Sequence, residues 1–278
     1  MFQLDSLTSK IVLYSTLVLM VLFAFFPIYW MAITSFKSSG EVIQSPPTFY
    51  PHNFTLEHYI TAITDQNLLT YLKNSLIVAG LTSLLSVIIS SYAAYSFSKY
   101  RYSGRKSLMG LVLSAQLFPK AVLLITLYLM MQRLGLIDTY PALILSFTTF
   151  TLPLTTWMLK SYFDEIPKEV LESAYIDGAS RLQMLHQIAL PLTMPGLIAP
   201  ALFAFIRGLN DFIFALTLTS SDAMRTLPPG LTLSYLGQFE SSWAGMMAAS
   251  LITSIPVIVL FILLQRYLIK GLMAGAVD

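Results

Sequence analysis

The sequence predicts an all-α membrane protein with six transmembrane helices and a cytoplasmic helix-turn-helix loop, and three observations predict it. Of its 278 residues, 56% are hydrophobic and only 11% charged, against about 25% charged in ordinary soluble domains. The charges gather in clusters between long apolar runs. Six of those runs reach the roughly 20 residues that a helix needs to cross a bilayer with every backbone polar group satisfied internally. A soluble globule is excluded.

The runs are 11–35, 74–97, 107–131 with Lys120 inside, 139–159, 192–218 with Arg207 and Asp211 inside, and 241–264. The first is too long for the apolar core of a secretion signal, and Lys10 alone supplies positive charge before it, so it reads as a span rather than a cleaved leader. Basic residues beside spans accumulate on the cytoplasmic side. One side collects Lys10, Lys99, Arg101, Arg105, Lys106, Lys160, Lys168, Arg181, Arg266 and Lys270, the other Lys37, Lys73, Arg133 and Arg225. A multi-pass protein of the cell's inner membrane with both termini in the cytoplasm is expected. Residues 37–72 are too many for a simple connector and carry Pro46, Pro47, Pro51 and several aromatics. They should fold on the outer surface, as a contact for an extracytoplasmic partner or as a lid over helix ends.

Sixteen Lys and Arg against fourteen Asp and Glu leave a formal charge of +2, which argues against nucleic acid as a partner. The chain has no cysteine, which excludes disulfides, thiolate metal sites and cysteine nucleophiles. His52 and His58 share one loop while His186 lies far along the chain, so no three-histidine metal site is expected. No G-x-x-x-x-G-K-[ST], G-x-S-x-G or H-E-x-x-H occurs, which removes a P-loop and the common hydrolase constellations. A pore or carrier is the remaining reading.

The most informative stretch is 161–191, SYFDEIPKEVLESAYIDGASRLQMLHQIALP. Pro167 suits a first helical turn, and Asp164, Glu165, Glu169 and Glu172 favour its positive end. Gly178 can end that helix, and Ser180 with Gln183 three residues later is a capping-box signature for a second. Val170, Leu171, Ala174 and Tyr175 on the first helix, and Leu182, Leu185, Ile188 and Ala189 on the second, give the knob apolar surface. That surface either packs on its own bundle or the headgroup layer, or meets a partner protein.

Glu172, Ser173 and Ala174, three residues to Gly178, nine more to Ile188, then Leu190 and Pro191 resemble the EAA loop of ABC importer permeases, E-A-A-x3-G-x9-I-x-L-P. Asp177, Gly178 and Ala179 match its D-G-A variant in carbohydrate importers, and the end of the chain, GLMAGAVD, is similar to the tail of maltose-type permeases. Ser173 departs from the pattern by a small-for-small change, and Leu185 stands where maltose-type loops often carry a bulky aromatic. The resemblance implies one transmembrane domain over 1–278, with 161–191 as its ATPase-coupling loop and 271–278, including Gly271 and Gly275, as a cytoplasmic tail that senses ATPase closure. It implies that Glu172, Ser173, Ala174, Asp177, Gly178, Ala179, Met184, Leu185, Ile188, Leu190 and Pro191 carry the coupling contact. It also implies a second homologous permease, two ATPase subunits holding ATP and Mg, and an extracytoplasmic sugar-binding protein. The chain itself would bind no cofactor or metal and hydrolyse nothing. On residue pattern alone, 271–278 should fray.

Charges inside spans are costly and are functional candidates by default. Arg207 and Asp211 lie four apart, so a mutual salt bridge is expected. Lys120 follows Pro119 and either pairs across the bundle, for instance with Asp211, or extends along a bend to polar surroundings. Gln116 reads as helix-packing glue, and Trp30, Trp157 and Trp243 as interfacial residues. Asn210, Asp211 and Phe212 resemble the N-D/E-aromatic stretch of sugar permeases, which with Trp243 makes them substrate-pathway candidates. The expected function is ATP-driven import of a carbohydrate, an oligosaccharide in particular. The alternatives are a carrier or channel coupled to an ion gradient through Arg207, Asp211 and Lys120, and an assembly scaffold. Too few cations lie within the spans to argue for phosphorylated cargo.

Overall fold

A computed structural model describes residues 7–64, 66–237 and 241–274. Those residues are helical almost throughout, and the only extended pairings among them are two isolated bridges, Lys37 with Phe54 and Leu236 with Ser241. In chain order the helices are α1 (Leu7–Ser35), α2 (Ser39–Val42), α3 (Glu57–Thr64), α4 (Gln66–Lys99), α5 (Arg105–Ser114), α6 (Lys120–Arg133), α7 (Tyr140–Asp164), α8 (Lys168–Ile176), α9 (Arg181–Gln183), α10 (Leu190–Leu209), α11 (Ile213–Leu218), α12 (Leu227–Tyr235) and α13 (Trp243–Ala274). Five helical stretches are long and apolar enough to cross a membrane, and the bent pair α5–α6, counted as one broken span, makes six. They correspond one to one with the six apolar runs.

Two of the runs are interrupted. The third breaks at Phe118 and Pro119, where the two halves meet at 96°. Proline offers no N–H to the turn before it and drives its predecessor out of the helical region; Phe118 accordingly sits at ψ 128° and Pro119 at ψ 124°. The fifth ends at Leu209 and resumes at Ile213. At its other end it runs on through the π turn Met184–Ala189 into α9, so that Arg181–Leu209 forms one helix of 29 residues. A π turn widens the hydrogen-bond register by one residue, and here it ends two residues before Pro191.

The described residues fall into two compact units, one comprising residues up to Leu68 with Leu231–Ile255, the other Leu69–Gly230 with residues from Pro256 onward. In the first, α1 is apolar on every side and exposes large side chains such as Phe23, as a helix immersed in lipid should. The segment after it folds around Glu41. This buried carboxylate accepts hydrogen bonds from the backbone N–H of His52 (2.9 Å) and Asn53 (3.2 Å) and from the Thr48 hydroxyl (2.8 Å). The His52 N–H in particular draws its pKa down to about 2, against the cost of burial. Phe36 stacks between Phe54 and Tyr59, and the Lys37 ammonium lies 4.9 Å from the Trp30 ring centroid. The segment around Glu41 thus has a structure of its own.

In the second unit, α4, α7 and α10 meet through small polar residues, the usual contact between helices in lipid. Ser86 bonds Thr151 (2.6 Å), Thr156 donates to Ser90 (3.0 Å), and Ser83 donates to the Ala201 carbonyl (2.6 Å). Gly208 lets α10 approach the Ala79 backbone: a Cβ there would stand 3.1 Å from its Cα. Asn74 is fully satisfied, donating to the Ala223 and Arg225 carbonyls and accepting from the Tyr140 hydroxyl. Asp138 adopts φ 62°, held there because its carboxylate accepts from the N–H groups of Ser220 and Ser221 while its own N–H donates to the Leu218 carbonyl. Burial pushes the Asp138 pKa up, but the hydrogen bonds from Ser221 and Ser220 outweigh it and leave the group more acidic than usual. α13 runs from Trp243 past the expected span to Ala274, so that residues 271–274, Gly271 among them, belong to it, and Gly275 lies outside the described residues.

Candidate functional site

The 161–191 stretch forms the expected knob. α8 follows Pro167 and stops at Asp177, after which Gly178 takes φ +85°. That left-handed residue lets Ala179 N–H reach the Ala174 carbonyl (2.9 Å) and Gly178 N–H reach the Tyr175 carbonyl (3.1 Å), the paired bonds of a Schellman cap. Ser180 and Gln183 then complete a reciprocal capping box: Ser180 N–H donates to Gln183 Oε1 (2.8 Å) and Gln183 N–H to Ser180 Oγ (3.4 Å). Two helices are thereby fixed at a set angle by bonds local to six residues.

The apolar surface of the knob divides between two tasks. Leu185 and Ala189 are buried with Ala94, Tyr95, Leu159, Phe163 and Ile166, and Leu171 and Leu190 pack against that cluster. Ala174 and Met184 are buried too. Of the residues that the resemblance assigns to the ATPase contact, Ala174, Met184 and Leu185 are buried within this chain, Leu185 in that cluster and Met184 at the wall of a cleft beside α8. Glu172, Ser173, Asp177, Gly178 and Pro191 are exposed, and Ala179, Ile188 and Leu190 are half-buried. The large apolar groups left outside are Val170 (38% exposed), Tyr175 (72%), Ile176 (84%) and Leu182 (63%). A cleft of about 420 Å³ runs beside α8, lined by Tyr95, Lys99, Tyr100, Leu171, Glu172 and Tyr175 among others. Further contacts that the sequence did not suggest brace it: Lys99 Nζ donates to the Ile166 carbonyl (2.8 Å), and His186 joins the Tyr92 hydroxyl (3.0 Å) to the Leu182 carbonyl (2.9 Å).

The second candidate is the charged cavity at the two helix breaks. Asp211 does not pair with Arg207. α10 ends before Asp211, so the two residues no longer share a helix face, and Asp211 instead accepts from Lys120 Nζ at 3.4 Å through Oδ2 and from the Phe214 N–H at 3.0 Å through Oδ1, where it caps α11. This corrects the expected mutual bridge and selects the cross-bundle pairing left open for Lys120. Arg207 lies over the Phe203 ring, 5.3 Å from its centroid. Gln116 Nε2 donates to the Phe150 carbonyl (2.8 Å), the packing role expected of it. Among the pathway candidates, Asp211 lines this cavity. Asn210 spends its amide on the Ile206 carbonyl (3.0 Å), Phe212 is exposed beside it, and Trp243 is exposed at the start of α13 in the first unit. The described residues hold no cluster of three or more side chains suited to a metal ion.

Spans broken around a charged cavity and joined to an exposed, capped helix pair are the architecture of a membrane transport subunit. Residues 86–273 match the family described as binding-protein-dependent transport system inner membrane component, and the chain belongs to that family. It is 39% identical over 274 residues, 98% of each chain, to the trehalose/maltose transport system permease protein MalG of Thermococcus litoralis. It is 38% identical over 271 residues, 97% of this chain and 96% of the other, to the inner membrane ABC transporter permease protein YcjP of Escherichia coli. In fold it is similar to a chain of a bacterial ABC transporter involved in the import of the acidic polysaccharide alginate, with a TM-score of 0.80 at 23% identity over 96% of this chain and 99% of that one. The chain is a multi-pass membrane permease of an ABC importer, which works with a binding protein and a separate ATPase. The ion-coupled carrier and the scaffold fall away.

Proposed function

We propose that the chain is one of two homologous permeases in a carbohydrate importer, with an oligosaccharide as cargo, two ATPase subunits carrying ATP and Mg on the cytoplasmic side, and an extracytoplasmic sugar-binding protein on the other. Both termini are cytoplasmic in this reading. The observation that carries it is the continuity of the capped knob with α10: whatever engages Glu172, Asp177, Tyr175, Ile176 and Leu182 acts on a helix that ends beside Asp211. The relative's name specifies trehalose and maltose, which supports a saccharide as cargo. The folded loop around Glu41 is the surface for the binding protein, and the tail after α13 is a second contact for the ATPases.

The test is reconstitution of the full complex with its binding protein in liposomes. Labelled oligosaccharide should accumulate with ATP, fail to accumulate with a non-hydrolysable analogue, and be indifferent to ionophores. Accumulation that follows an ion gradient without hydrolysis would overturn the reading.

A further inference from the structure

Lys120 and Arg207 are the two cations that the sequence places inside spans, and the structure brings both to the wall of one cavity with a single carboxylate, Asp211. Asp211 is already committed on both oxygens, to Lys120 Nζ and to the Phe214 N–H. Among the described residues no carboxylate pairs with Arg207; its guanidinium has only the Phe203 ring beneath it. The cavity therefore carries one positive charge in excess. Arg207 is exposed at the cavity wall, 5.3 Å from the Phe203 ring centroid, and the planar fork of a guanidinium suits a two-oxygen anion.

We propose that this cavity is a subsite for an anionic substituent, a carboxylate or sulfonate, on the transported saccharide, with Arg207 as the residue that reads it. The inference rests on the importer reading above. The enclosed space is about 20 Å³, room for roughly one water-sized group and too little for a sugar ring. Only an oxygen of the charged substituent enters, and the sugar ring stays outside, against Phe203 and Phe150 at the cavity wall. Gln116 has its amide N–H engaged with Phe150, and its Oε1 is available to a sugar hydroxyl. Asp211 contributes by fixing Lys120 rather than by touching cargo, since a free carboxylate here would repel the substituent.

The experiment uses the complete complex in liposomes with its binding protein in excess, and compares a neutral trisaccharide with the same trisaccharide carrying one uronate. The wild type should accumulate the uronate form. Arg207→Gln should lower the ratio of uronate to neutral uptake roughly 10- to 100-fold, the loss expected for hydrogen bonds to a charged group, and leave thermal stability near the wild type. Arg207→Lys, which keeps the charge and loses the fork, should fall between. The proposal is overturned if the wild type moves only the neutral sugar, if Arg207→Gln loses neither substrate, or if it loses both alike while remaining stable. ATP-driven accumulation of the neutral sugar in any of those cases leaves the importer reading standing. Absence of ATP-driven accumulation of either sugar removes that reading, and this subsite with it.

Discussion

Gly178 offers the sharpest test of the coupling knob because the structure separates two reasons a glycine can be required. Its φ is +85°, and a Cβ built on it meets nothing within 4 Å. The demand is therefore one of handedness and not of space. An L-residue in the left-handed region costs roughly 1–2 kcal/mol, so Gly178→Ala should cost about 1 kcal/mol and Gly178→Val about 2 kcal/mol, the β-branch adding to the strain. The chain can relieve that strain by abandoning φ > 0. It then forfeits the bonds from Gly178 N–H to Tyr175 and from Ala179 N–H to Ala174, and α9 leaves its set angle. The residue is exposed, so the damage stays local: the Val variant should insert normally, co-purify poorly with the ATPase, and lose ATP-driven uptake. Asn tolerates the left-handed region better than most residues, and Gly178→Asn should retain most of both. If Asn proves as harmful as Val, handedness is the wrong explanation; if Val couples normally, the turn does not aim the coupling surface.

Four further outcomes follow from particular contacts. Lys120→Met strands the nearly buried Asp211 and should cost about 1–2 kcal/mol in thermal stability, discounted for the partial exposure of Lys120, while Lys120→Met with Asp211→Asn should recover most of it, since Asn can still cap α11. Gly230→Ala places a Cβ 2.3 Å from the Tyr71 ring, and should lower thermal stability by about 1–3 kcal/mol, with no effect if Tyr71 swings away freely. Glu41 titrates near 2 when folded against an ordinary 4.5, so its contribution is complete above pH 4.5 and drains away as pH falls toward 2; limited proteolysis of the loop across that window should show the slope in the wild type and not in Glu41→Gln. Deleting 271–278 should weaken ATPase stimulation more than membrane insertion, as read by hydrolysis in liposomes against the amount of protein extracted from membranes.

The spans were legible because lipid demands long uninterrupted apolar runs, and the knob because its caps are local: Pro167, Gly178, Ser180 and Gln183 act within a few residues of themselves. The helix breaks were not. Pro119 inside an apolar run is compatible with a mild kink or a right-angle turn, and Phe212 continues the apolar pattern straight across the gap at 210–212. Once that gap is missed, the spacing of Arg207 and Asp211 points to the wrong pair. Long-range satisfaction was equally hidden, since nothing local to Asn74 announces Ala223 and Tyr140, and nothing near Glu41 announces that its donors lie on His52 and Asn53. The same limit holds for Met184 and Leu185: the motif gives their position in the loop, whereas their burial depends on where α4 and α7 pass.

The unbroken helix from Arg181 to Leu209 sets a mechanical scale for the permease. Its 29 residues make a rod of about 43 Å, with the knob at one end and the gap before Asp211 at the other. Pivoted at the knob, such a rod needs a tilt of only about 5° to carry its far end about 4 Å. That travel exceeds the 3.4 Å separating Lys120 from Asp211. A small tilt at the packed knob is thus amplified, by leverage alone, into a displacement at the far end of the helix as large as the separation of the ion pair beside it.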